Sequence, residues 1–214
     1  MNHFFPMKDF EHAAIRKRNL EAWNLKYFMK LRKHLDQCNV EPQLMESLLK
    51  VFNDFDTFLT PRIPHLFSGI LHSDINDCNV ICSVQESGSC DTTQPFAIID
   101  FGDCMYGPYV FELGIAVAYE LLGKEEPLKE VTPVVEGFIE EFPLPKRELS
   151  LVFYVAMARL AQSYINAQLS LARDPDNAEY LSVHSVPAKR LLCDLAFLPK
   201  ELAQSAWTSV LPDN

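Results

Sequence analysis

Residues 72–79, His-Ser-Asp-Ile-Asn-Asp-Cys-Asn, place a histidine, two aspartates and two asparagines in eight positions bounded by apolar sequence. Asp74 and Asn79 stand in D-x-x-x-x-N spacing after H-x-D, and Asp100-Phe101-Gly102-Asp103 ends a later apolar run. Phosphoryl transfer to a hydroxyl needs such groups. One carboxylate must orient the acceptor hydroxyl and take its proton. A neutral oxygen ligand and a second carboxylate must hold Mg²⁺ against the nucleotide phosphates. The competing reading is an ordinary turn, because Asp and Asn readily hydrogen-bond their own backbone. A further aspartate at a strand end, Asp100, weighs against that reading, whereas Asn76 and Asp77 are expected to be turn residues.

The elements that must position these groups are short strands. "GILH" (69–72) and "NVICSV" (79–84) read as strands, "ESGSCDTTQP" (86–95) as a polar turn, and "FAIID" (96–100) as the returning strand. Asn79 then opens one strand and Asp100 closes its antiparallel partner, so both lie at the same end. The rest reads as helix. Leu20, Trp23, Tyr27 and Leu31 are spaced as one helical face within 8–35. A second helix is expected over 42–59, with Pro42 near its start and Pro61 beyond its end. After "YGPY" (106–109), helices are expected near 111–122, 131–142, 146–173 and 188–197, separated by prolines 143, 145, 175, 187 and 199. The class is α+β, mostly helical, with a small β-hairpin.

Composition limits the alternatives. The 214 residues are 48% hydrophobic, enough for one sizeable core in one domain spanning 1–214. The formal charge of −10 argues against a nucleic-acid surface. The two most apolar stretches, 109–122 and 151–161, carry Glu112, Glu120 and Arg159 and are too short to span a membrane; they read as buried helices. No signal-like h-region is present at the N-terminus. Six cysteines without a second pair beside Cys78 and Cys82 read as free thiols in a reducing, cytoplasmic setting.

H-x-D-x-x-x-x-N followed by I-D-F-G-D resembles the catalytic loop and metal-binding segment of the aminoglycoside phosphotransferase family, relatives of protein kinases that phosphorylate small-molecule hydroxyls. That resemblance implies Asp74 as catalytic base and Asn79 and Asp100 as Mg²⁺ ligands. It implies His72 as a brace for the loop and Asp103 beside the metal. "WNLK" (23–26), "HSDINDCNV" (72–80), "IDFGDCMYGPYVFELGIAVAY" (99–119) and "RLAQSYINA" (159–167) are similar to the hydroxylysine kinase branch of that family, over about residues 9 to 200. The branch implies 5-hydroxy-L-lysine as acceptor, GTP as phosphate donor and a place in lysine degradation. Ser73 departs from the family, which more usually has glycine there; serine adopts φ > 0 only at a cost.

A kinase-like N-terminal lobe would bring a Gly-rich loop and a strand lysine. The 71 residues before His72 show neither, so the chain resembles the C-terminal lobe alone. Two functions follow: a small-molecule kinase, or a catalytically silent fragment acting as a binding or regulatory module. Choline-, homoserine- and fructosamine-type acceptors stay open within the first. Glu112, near a helix start, is expected to cap or brace that helix. Arg159 interrupts an apolar helix and needs a partner, either Glu112 or Glu120, or the α-carboxylate of an amino-acid acceptor. Glu112, Glu120, Asp103 and Tyr106 are candidate partners for the acceptor's amines.

Overall fold

A computed structural model describes residues 22–38, 40–85, 87–88, 94–174, 176 and 178–210. A 3₁₀ helix, Leu25–Gln37, comes first, capped by the Asn24 side chain, which accepts from Lys26 N at 3.0 Å. It buries Leu25, Phe28, Leu31 and Leu35, the near three-residue spacing of a 3₁₀ helix. The inward face therefore differs from the one expected: Leu31 is buried, Tyr27 only partly so, and Trp23 lies in a preceding turn. Leu20 and the earlier part of that expected helix lie outside the described residues. Helix α1 (Pro42–Asp54) runs into a π-helical turn, Phe55–Leu59, which together match the helix expected over 42–59. Leu44, Leu48, Val51 and Phe52 form its buried stripe.

Among the described residues four short strands make two antiparallel pairs. Strand β1 (Ser68–Leu71) pairs with β4 (Met105–Pro108), and β2 (Val80–Ile81) pairs with β3 (Ala97–Ile98). The second pair is the expected hairpin; its turn falls largely outside the described residues. Strand β4 was not expected from the sequence. "MYGP" acquires its strand geometry from β1, whose Gly69 faces Gly107 and whose Ile70 faces Tyr106.

The core is built by α2 (Tyr109–Glu120), which follows β4 directly, and by the long helix α6 (Val152–Leu171). Between them lie α3 (Pro127–Glu130), α4 (Thr132–Glu141) and α5 (Lys146–Leu149). Helices α2 and α6 approach so closely that a Cβ at Gly114 would collide with the Val155 side chain. Helix α6 is buried almost all round because α1, α2, the 3₁₀ helix and α7 (Ala178–Leu195) surround it. The prolines break the chain near 143, 145 and 199, but Pro187 does not: it lies inside α7. Ala188, Leu191 and Leu192 are buried around it, and that packing outweighs the backbone bond a proline removes. Helix α8 (Lys200–Ser205) and a 3₁₀ turn, Thr208–Val210, end the described chain, and between them the Trp207 indole N–H donates to Leu128 O at 2.9 Å. Among the described residues no helix is long and apolar enough to cross a membrane.

Candidate functional site

The loop leaving β1 carries the first group of polar residues. Ser73 has φ of 70°, in the left-handed region that a side chain enters only at a cost. Its N–H donates to Glu112 Oε2 at 3.0 Å, so α2 fixes the loop from below. Burial pushes the Glu112 carboxyl up from its ordinary value, against the opposing pull of the Ser73 N–H. His72 ties the loop to the hairpin. Its Nε2 lies 2.8 Å from Ile99 O, while its Nδ1 lies 3.3 Å from Asp74 N. A neutral ring protonated at Nε2 satisfies both contacts. The turn that follows is an Asx turn, with Cys78 N donating to Asn76 Oδ1 at 2.9 Å.

Asp74 and Asn79 meet across that turn. Asn79 Nδ2 donates to Asp74 Oδ2 at 3.0 Å and to Asp74 O at 2.9 Å. Ile99 N donates to Asn79 O at 3.0 Å, which brings the next residue, Asp100, to the same end of the hairpin. Asp100 is itself left-handed, with φ of 57°, and its Oδ1 accepts from Gly102 N at 3.1 Å. Aspartate tolerates that conformation better than most residues because its short side chain bonds locally.

Arg159 reaches the loop from the middle of α6. Its Nη2 lies 2.6 Å from Asp74 Oδ1, so its carboxylate partner is Asp74 rather than Glu112 or Glu120. The guanidinium is 1% exposed and its other two nitrogens are occupied: Nε with Tyr119 Oη at 3.1 Å, Nη1 with Gln162 Oε1 at 3.1 Å and with Trp23 O at 3.5 Å. It lies between the rings of Trp23 and Tyr119, at 4.7 and 5.4 Å from their centroids. Every residue of the 23–26 segment takes part in this support. Trp23 covers Arg159, Asn24 caps the 3₁₀ helix, Leu25 is buried and Lys26 Nζ donates to Tyr106 O at 3.0 Å. Just before it, Ala22 O accepts from Gln162 and Asn166 of α6.

A cavity of about 440 Å³ opens over these groups. Asp74, Asn79, Asp100, Asp103 and Arg159 all line it. His72, Glu112, Glu120 and Tyr106 do not. His72 and Glu112 lie behind the loop as braces, Glu120 pairs with Lys124 at 2.7 Å at the far end of α2, and Tyr106 belongs to β4. Tyr119, Ser163, Asn166, Ser170 and His184, not among the residues expected from the sequence, also line the cavity. A signal existed for several: positions 159, 163, 166 and 170 recur at three- and four-residue steps and put a polar stripe on an otherwise apolar helix.

The donors suit a hard divalent cation. Asn79 gives its amide N–H groups to Asp74, which leaves Oδ1 as the coordinating atom. Asp100 has Oδ2 without a hydrogen bond among the described residues, and Asp103 adds a carboxylate on the same cavity wall. An all-oxygen set of this kind suits Mg²⁺, Ca²⁺ or Mn²⁺ alike.

Comparisons with known proteins identify the family. The chain belongs to the phosphotransferase enzyme family, whose model matches residues 6–143. That family has a kinase-like fold, and a mostly helical α+β chain with small antiparallel sheets fits it. The chain is 30% identical to a hydroxylysine kinase of Xenopus laevis over 89% of its own length and 51% of the relative's. It is 26% identical to the hydroxylysine kinase of Mus musculus, and 28% to that of Bos taurus, in each case over 94% of this chain and 54% of the relative. The chain thus spans about half the length of these relatives. No solved structure matches it.

Proposed function

We propose that this chain carries the catalytic portion of a small-molecule kinase that transfers the γ-phosphate of GTP to the hydroxyl of 5-hydroxy-L-lysine. The observation that carries the reading is the convergence of Asp74, Asn79 and Asp100 on one cavity from a loop and a hairpin. The hydroxylysine kinase relatives support the choice of acceptor class.

In the proposed reaction Asp74 accepts the proton of the acceptor hydroxyl. The new bond forms between that oxygen and the γ-phosphorus, the bridging β–γ bond breaks, and a nucleoside diphosphate leaves. Arg159 and Asn79 hold one oxygen of Asp74 each, and every carboxylate oxygen has two acceptor sites, so a lone pair remains for the hydroxyl. Asn79 Oδ1 and Asp100 would hold Mg²⁺, which would offset the charge on the phosphate oxygens. Arg159 has one Nη2 hydrogen left. A substrate carboxylate therefore accepts a single bond from it, rather than the two that a free fork would offer. Asp103, the candidate acid on the cavity wall, faces the acceptor's amines.

The test is turnover with GTP, Mg²⁺ and a panel of acceptors, on this chain extended to the length of its relatives. The expected outcome is phosphorylation of 5-hydroxy-L-lysine with kcat/KM at least about tenfold above choline, homoserine or a fructosamine, the scale of about 1.4 kcal/mol of discrimination. Preference for one of those acceptors would move the substrate. Nucleotide binding without turnover on any of them would favour a silent binding module.

A further inference from the structure

Asp77 and Cys78 lie on the outer side of the Asx turn, and His184 faces them from α7. Asp77 Oδ1 is 3.4 Å from His184 Nε2. The carboxylate of Asp77, Sγ of Cys78 and a ring nitrogen of His184 all lie within 4.8 Å of one another. Two further observations set this trio apart from a chance cluster. His184 Nε2 is shielded from water and has no hydrogen-bond partner among the described residues, an unsatisfied ring nitrogen beside a carboxylate. Its imidazole is also held in place, with the Tyr119 ring 5.1 Å away. Cys78 is a free, exposed thiol, and both Cys78 and His184 line the cavity mouth.

Imidazole nitrogen, thiolate sulfur and carboxylate oxygen together form a borderline-soft donor set. It is chemically distinct from the all-oxygen set of Asn79 and Asp100. Tetrahedral zinc has bonds of roughly 2.0–2.3 Å, which place its donor atoms ~3.5 Å apart. The Asp77–His184 distance already meets this, and the exposed Cys78 side chain reaches it by rotation. We propose that Asp77, Cys78 and His184 bind a zinc-class ion at the lip of the cavity, leaving the fourth position open for water. Binding releases the thiol proton to solvent as the metal–sulfur bond forms. It also pins the loop bearing Asp74 and Asn79 to α7 across the cavity mouth.

The test uses Co²⁺ as a spectroscopic probe on the reduced 214-residue chain. One equivalent of Co²⁺ is expected to give a tetrahedral spectrum with a thiolate charge-transfer band, bleached by Zn²⁺ and unaffected by excess Mg²⁺. Cys78→Ser should abolish the band, whereas Cys82→Ser and Cys104→Ser should retain it. His184→Ala should weaken binding by about tenfold or more, the least expected of a direct ligand. Asp77 is exposed, so Asp77→Asn reads the same loss without a folding defect; thermal melts of the metal-free variants check this. A spectrum that survives Cys78→Ser, or no tetrahedral spectrum in the wild-type chain, would overturn the proposal.

Discussion

The helical body and the hairpin that bears the candidate site are built on opposite principles. Away from the polar stripe of α6 the body is held by apolar contacts: Phe28, Phe52 and Phe55 cluster with no exposed surface to speak of, the first two stacked at 4.4 Å. The hairpin leaves Ile81, Phe96, Ile98, Ile99 and Phe101 exposed, and its loop is held by individual hydrogen bonds from His72, Glu112, Asn79 and Arg159. Among the described residues the two with positive φ other than glycine, Ser73 and Asp100, flank the site. Burial is non-directional and holds the body whatever the detail of its contacts. The site depends on a few directional bonds, and backbone strain concentrates where those bonds set geometry. Substitutions in the body should therefore be read in stability, and substitutions in the loop in turnover or in pH dependence.

The largest stability effect is expected in the body. Phe52→Ala removes a fully buried ring and should cost about 3–5 kcal/mol, seen as a fall in Tm of ~6–20 °C. A loss under about 1 kcal/mol would mean that this cluster does not hold the fold.

Glu112→Gln is the next step down, and its sign depends on pH. The Glu112 carboxyl is raised by burial, so between its unfolded and folded pKa values the folded chain binds the extra proton. Stability there falls as pH rises, and the full penalty is present above the folded pKa. Glutamine can still accept from Ser73 N but carries no charge. Urea melts of the variant should match wild type in acid, below the unfolded carboxyl pKa, and exceed it increasingly towards neutral pH. A difference that does not change with pH would contradict buried charge as the cause.

The smallest effect belongs to Ser73→Gly, which relieves a left-handed residue and removes a buried hydroxyl oxygen without a partner. Glycine's greater freedom in the unfolded chain offsets part of this, so the net gain should be about 1 kcal/mol or less, measured by denaturant titration. Destabilisation instead would mean that the serine side chain supports the loop.

The sequence revealed most where the relevant residues are close along the chain. H-x-D-x-x-x-x-N and I-D-F-G-D were visible because a turn and a strand end fix their own spacing, and the hairpin pairing followed from the strands between them. The apolar runs of α2 and α6 were likewise readable. What escaped detection depends on tertiary contact. Strand β4 exists because β1 pairs with it, through Ile70 opposite Tyr106. Helix α7 passes through Pro187 because its buried side is packed. Arg159 was recognised as needing a partner, yet Glu112 and Glu120 are nearer in sequence than Asp74. Only the packing of α6 behind the loop shows which carboxylate it meets. His184 gave no local signal at all, since its relation to Asp77 and Cys78 exists only once α7 folds back.

The central claim, that the loop over α6 is a phosphoryl-transfer site, is tested most directly by Asp74→Asn in the chain extended to its relatives' length. Turnover of 5-hydroxy-L-lysine and binding of GTP with Mg²⁺ would be measured on the same preparation. The expected result is a kcat lowered by roughly 10²–10⁴ with nucleotide affinity little changed, the scale of positioned proton transfer. A kcat within about threefold of wild type would contradict a proton-accepting role for Asp74, because so small a loss is under 1 kcal/mol of barrier.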